Sequence, residues 1–149
     1  MSGELWSRLR NKEYRDEYLV ATLTSTLAYQ IEALRDQHGW TQTELANLIG
    51  TTQSVISRLE DPDYGRANIM TLFDLAKALD VALLVKFVPY SQFVTEYRDV
   101  SPQGLSAASF SDEDSTHNNL IDNNPEGTFA AEADAATRYY PTTGAGIRV

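Results

Sequence analysis

Residues 53–60 read QSVISRLE, and their side chains separate by chemistry once the segment is wound into a helix. At about 100° per residue, Gln53, Ser57, Ser54 and Arg58 fall within one arc of about 140°, while Val55, Leu59 and Ile56 occupy the opposite side. Glutamine offers a two-point match to adenine and arginine a two-point match to guanine, and serine bonds either, so the polar arc suits the edges of DNA bases. The plainer alternative is an ordinary solvated face. Such faces usually carry Lys and Glu, as the stretch KEYRDEY at residues 12–18 does, and this one does not.

An outward polar arc has to be held by neighbouring elements, and the sequence supplies signals for them. Thr41 followed by Glu44 forms a capping box, so a helix is expected from about Gln42, with Leu45, Ala46, Leu48 and Ile49 on its apolar face. Gly50 follows, able to take a left-handed turn, and Thr51 or Thr52 can cap the next helix. Before this pair, Leu23, Leu27, Ile31 and Leu34 make a helical stripe that ends near His38 and Gly39. After it, DPDYG at residues 61–65 is turn chemistry. Asn68 then caps a helix that buries Ile69, Leu72, Leu75, Ala76 and Leu79.

At the amino-terminal end, Leu5, Trp6, Leu9, Tyr14 and Tyr18 predict one or two short helices over residues 4–21. The β-branched and aromatic run ALLVKFVPY, residues 82–90, predicts a short strand that stops at Pro89. Leu83, Val85 and Phe87 would lie on one face of it, Leu84 and Val88 on the other. A lone strand exposes unpaired backbone, so pairing across a two-fold axis is expected, with an intrachain pairing to the amino-terminal extension as the alternative. Residues 100–149 contain only eight Ile, Leu, Val or Phe, too few to offset the entropy of ordering a chain. A disordered tail is expected there, with a transient helix at AAEADAATRYY.

Composition limits the functions open to the chain. It has 149 residues and no cysteine, which excludes disulfides and thiolate metal or redox sites. Its longest apolar run is broken by Lys86, so a soluble, cytoplasmic protein without membrane contact is the expectation. The net charge of −9 opposes nucleic-acid binding, but it is unevenly spread. Residues 1–21 hold four basic and four acidic groups, residues 22–90 five and eight, and residues 91–149 three and nine. Most of the excess therefore lies in the tail. His38 and His117 have no neighbouring ligand residue, no glycine-rich phosphate loop occurs, and neither a cofactor, a metal nor an enzymatic role is expected.

Residues 34–81 resemble the Cro and phage-repressor (XRE) family of helix-turn-helix proteins. The family pattern T-Q-x-E-L-A, then G, then Q-S-x-I-S-x-x-E runs ungapped through Glu60, followed by T-L-x-x-L-A-x-A-L. The resemblance implies a mainly α, five-helix phage-repressor-like domain. With the other signals, the expected organisation is a helical extension (1–21), the helix-turn-helix domain (22–81), a strand and dimerisation segment (82–98) and an acidic tail (99–149).

It also implies that Thr52, Gln53, Ser54, Ser57 and Arg58 read bases or adjacent phosphates, and that Gln42, Tyr64, Arg66 and Asn68 meet phosphates. Asp61 and Asp63 depart from the shorter, more basic turn of many relatives. A regulator, expected to be a repressor acting as a homodimer on double-stranded DNA, is the function this implies. The family's antitoxins, which bind a toxin and repress their own promoter, are the first alternative, and an interaction scaffold without DNA contact is the second. Some relatives carry a self-cleaving serine–lysine domain. Only Lys77 and Lys86 follow the motif here, so autoproteolysis is not expected.

Overall fold

The computed structural model describes residues 3–123. Among them are eight helices: α1 (Gly3–Arg8), α2 (Lys12–Gln37), α3 (Gln42–Leu48), α4 (Gln53–Leu59), α5 (Ile69–Ala78), α6 (Tyr90–Glu96), α7 (Pro102–Leu105) and α8 (Phe110–Asn123). None of the described helices is long and apolar enough to cross a membrane. The chain divides into two units after Asp112, and the described part of the second is the remainder of α8.

Helix α2 runs straight through the boundary expected at residue 21. Asn11 caps it by accepting from the Tyr14 amide, and no glycine or proline interrupts residues 12–37. Thr24 and Ser25 donate to the Val20 and Ala21 carbonyls one turn earlier, so their hydroxyls are satisfied without breaking the helix. Its amino-terminal half packs aromatic side chains on α6. Tyr18 meets Phe93 edge-on at 6.4 Å, and Arg15 lies over the Tyr90 ring. Phe93 in turn sits 4.6 Å from the Tyr97 ring, and burial pushes the Tyr97 hydroxyl pKa up.

The core is formed by Ile31 and Leu34 of α2, Leu45 and Ala46 of α3, Ile56 and Leu59 of α4, Leu75 of α5, and Leu79 just beyond it. The Thr41–Glu44 capping box is present. The Thr41 N–H donates to Glu44 Oε2 at 2.7 Å, and the Glu44 N–H donates to Thr41 Oγ1 at 3.2 Å. The Thr41 N–H and, at 2.8 Å, the Thr41 hydroxyl both donate to Glu44 Oε2 and hold the Glu44 carboxyl below its ordinary range. Gly50, at φ +70°, closes α3: its N–H bonds the Asn47 carbonyl and the Thr51 N–H bonds the Ala46 carbonyl. The same closure ends α5 on a non-glycine, Asp80, at φ +54°. Its carboxylate accepts from the Ser111 N–H and hydroxyl, and its carbonyl accepts from the Phe110 N–H, which ties the start of α8 to the end of α5.

Three expectations fail. Ile69, expected to be buried, is 48% exposed, and Leu48, expected on the apolar face of α3, is 57% exposed, both near the ends of their helices where no described neighbour covers them. Residues 82–88 form no strand; the segment is irregular, and its backbone makes no hydrogen bond to other described backbone. A strand exists only through a pairing partner, and no described segment of this chain provides one. Leu84 and Val85 are 75% and 63% exposed, Phe87 is fully exposed, and Leu83 and Val88 are half-buried. The expected disorder also does not hold for residues 102–105 and 110–123, which are helical. Average composition hid local anchors: Leu105 is buried, Ser101 caps α7, and Gln37 donates to the Ala107 carbonyl. The segment AAEADAATRYY lies outside the described residues.

Leu45 is wholly buried, so Leu45→Ala should lower unfolding free energy by about 2–5 kcal/mol in urea titrations. Because the folded Glu44 pKa is lowered, its stabilisation is present above the unfolded glutamate value and lost as pH falls through the folded one. Glu44→Gln, which has no carboxyl to protonate, should remove that part of the acid sensitivity, measured as a flatter dependence of the urea midpoint on acidic pH.

Candidate nucleic-acid interface

The turn at Gly50 sets α4 against α3, and the chemistry of α4 then follows its two faces. Ile56 is fully buried, Leu59 is buried and Val55 half-buried, while Thr52, Gln53, Ser54, Ser57 and Arg58 are exposed. Ala46, small and buried on α3, permits the close approach. Thr52 occupies the cap position of α4 without using its side chain, so its hydroxyl faces outward uncommitted to the helix. Arg58 donates from Nε to the Ser54 carbonyl at 3.2 Å, and its guanidinium lies 5.5 Å from the Tyr64 ring centre.

Behind this face runs a polar chain anchored in the core. Arg35 Nε donates to Glu60 Oε1 at 2.6 Å and Nη2 donates to Oε2 at 3.1 Å, a two-point ion pair with both side chains largely out of solvent. Arg35 Nη1 also donates to the Trp40 carbonyl and to Asp36 Oδ1. The hydrogen bond and charge of Glu60, reinforced by Asp36, raise the already high pKa of Arg35 against the burial that opposes them. Glu60 Oε2 accepts a third bond, from Gln42 Nε2 at 2.8 Å, and Gln42 Oε1 accepts from Gln53 Nε2 at 2.7 Å.

The chemistry of this chain dictates how each amide points. A carboxylate only accepts, so Gln42 must turn its NH2 toward Glu60 and its oxygen toward Gln53, and Gln53 must answer with an N–H. One N–H and the carbonyl oxygen of Gln53 are left over. Those are the two groups that a bidentate contact to adenine needs.

The loop after α4 places the remaining expected residues. Tyr64 is half-buried, whereas Arg66 and Asn68 are exposed. Asn68 spends its side-chain oxygen on the Met70 amide, capping α5, which leaves its NH2 to donate elsewhere. Gln42 is the first residue of α3, joined to Gln53 as described. Asp61 and Asp63 are exposed in the same loop, with the Asp63 N–H bonded to Asp61 Oδ1. Neither Arg35 nor Glu60 is among the site residues expected from the sequence. Helical spacing alone does not mark Glu60 as buried: as the C-cap of α4 it falls about 40° from Ile56 and about 20° from Gln53, between the apolar and polar arcs. Only the tertiary packing takes it out of solvent, where a carboxylate requires a cation.

Residues 31–85 match a protein-family model described as helix-turn-helix. Over 58 residues the chain is 38% identical to Antitoxin HipB of Escherichia coli O6:H1 (strain CFT073) and, equally, to Antitoxin HipB of Escherichia coli K12. The similarity covers 38% of this chain and 60% and 64% of those relatives. The chain thus spans under two thirds of the curated relatives it matches. No solved structure gives a significant match.

Removing one partner of the buried pair leaves the other charge stranded. Glu60→Ala should destabilise the fold by about 3–5 kcal/mol, whereas Arg35→Met with Glu60→Leu should recover most of that loss, both measured by urea unfolding.

Proposed function

We propose that this chain, whose residues 31–85 carry a helix-turn-helix domain, is a sequence-specific DNA-binding transcriptional regulator. It acts as a repressor, laying α4 in the major groove of a near-palindromic operator as a homodimer. The observation that carries the reading is the forced orientation of Gln53. The side chain is held from behind by Gln42 and Glu60 and presents an acceptor–donor edge on an exposed face. A base reader must hold its rotamer before the DNA arrives, and this network supplies that order.

In this reading Thr52, Gln53, Ser54, Ser57 and Arg58 meet base edges or the phosphates beside them. Gln42, through its second N–H, and Tyr64, Arg66 and Asn68 meet backbone phosphates. The acidity limits affinity without excluding it. With two or three phosphates engaged per subunit, log K should fall against log salt with a slope of roughly −4 to −5 for a dimer. The acids of the loop and of residues 91–149 repel DNA in general, so discrimination falls to the base contacts.

The dimer is assigned to residues 82–88, where backbone groups without a backbone partner among the described residues and the exposed Leu84, Val85 and Phe87 invite pairing with the same segment of a second copy, aided by Leu83 and Val88. Two-fold symmetry would then set the recognition helices about 34 Å apart.

A second reading, an antitoxin that binds a toxin and represses its own promoter, is favoured by the similarity to Antitoxin HipB. A toxin-like reading frame beside the gene, and co-purification of its product with this chain, would select it over the stand-alone regulator.

Selection of bound fragments from random DNA tests the proposal and yields the half-site spacing. On the selected site, Gln53→Ala should weaken binding by about 1–3 kcal/mol and relax preference at one base pair. An unchanged preferred sequence would overturn the assignment of α4. Phe87→Asp should convert the dimer to a monomer in sedimentation and weaken operator binding; an unaltered mass would remove residues 82–88 from the interface.

A further inference from the structure

A groove of about 760 Å³ lies between α2 and the α7 turn, away from the face assigned to DNA. Its surface is mainly apolar, with Tyr29, Val100, Pro102 and Leu105 among its lining, and Glu32 and Asp36 add two carboxylates. The wall opposite α2 is held in place. Gln30 Nε2 donates to the Leu105 carbonyl at 3.4 Å and Gln37 Nε2 to the Ala107 carbonyl at 3.0 Å. Gly104 approaches Asp99 so closely that a Cβ there would lie 2.6 Å from the carboxyl carbon. Volumes of this order suit a small organic molecule.

The charge pattern narrows the ligand. Glu32 and Asp36 are one helical turn apart on α2, a like-charged spacing that repels. Asp36 shares Arg35 Nη1, whereas Glu32 makes no ion pair among the described residues. No Lys or Arg lines the groove, and the part-exposed Tyr29 ring offers a face to a cation.

We propose that the groove binds a protonated amine carried on an apolar body of aromatic size, and that it is an effector site. The route to the recognition helix is short. A cation beside Asp36 competes for the carboxylate with Arg35, which holds Glu60, which orients Gln42 and through it Gln53. Ligand and DNA affinities are then linked reciprocally. Binding in the groove stands independently of the DNA reading; only the coupling rests on it.

The test is calorimetric titration of the full chain, without DNA, using tryptamine and its anionic counterpart indole-3-propionate. Tryptamine should bind saturably and at least about tenfold more tightly than the anion. Glu32→Gln should weaken it by about tenfold, and Ala33→Trp, which fills the groove, should abolish it while circular dichroism reports an intact fold.

No saturable heat, equal binding of the anion, or unchanged affinity in both variants would overturn the site. Failure to bind amine, with Ala33→Trp shifting the sedimenting mass, would give the groove to a second copy and also overturn it. With selected DNA, saturating tryptamine should change affinity by about fivefold or more. Unchanged DNA affinity would overturn the effector role. A chain that binds tryptamine but no DNA would overturn the regulator proposal and leave the groove assignment standing.

Discussion

A charge pair buried between α2 and the end of α4 is the constraint around which the domain is built. Neither Arg35 nor Glu60 could be taken out of water alone, because the cost of desolvating a single ion exceeds what packing can return. Together they satisfy each other at two points, and their remaining groups bond the Trp40 carbonyl, Asp36 and Gln42. Among the described residues no buried side-chain polar atom is left without a partner. The pair therefore links three helices and fixes the rotation of α4 about its own axis. A small rotation would break a bidentate geometry that apolar contacts alone would tolerate.

The same pair reaches the surface. Because the glutamate is an obligate acceptor, the amide orientations of Gln42 and Gln53 follow from it without freedom. Core electrostatics and the exposed face of α4 are thus one network, and the rigidity of the interior is passed to the side chain with the richest hydrogen-bonding edge. Asp36 connects the network to the groove on the far side of α2, which is why an event there can be felt at Gln53.

Residues 82–88 are the opposite case. They are largely apolar and irregular and make no backbone hydrogen bond to other described backbone, flanked by the left-handed closure at Asp80 and by Pro89, which caps α6. Phe93 packs α6 against Tyr18 of α2, whose ring stacks on Tyr14, so both tyrosines of the extension are committed to the fold, while Trp6 stays exposed. That reduces what the extension can offer a partner and leaves the exposed apolar segment as the surface with most to gain from one.

Much of the helical domain was legible in the sequence, because its signals are local. The capping box at Thr41, the turn at Gly50, the cap at Asn68 and most of the apolar arcs of α3, α4 and α5, Leu48 and Ile69 excepted, each depend on residues within a turn or two of one another. The exposed quartet of α4 followed from the same periodicity. What the sequence could not give were the events that need distant residues to meet. Those are the pairing of Arg35 with Glu60, the closure of α5 on Asp80 where glycine would be looked for, the anchoring of Leu105 along α2, and the absence of a partner for residues 82–88 among the described residues. The physical reason is that periodicity and capping act through the backbone of one element, whereas ion pairs, grooves and strand pairing depend on which elements come together. Only the folded chain decides that.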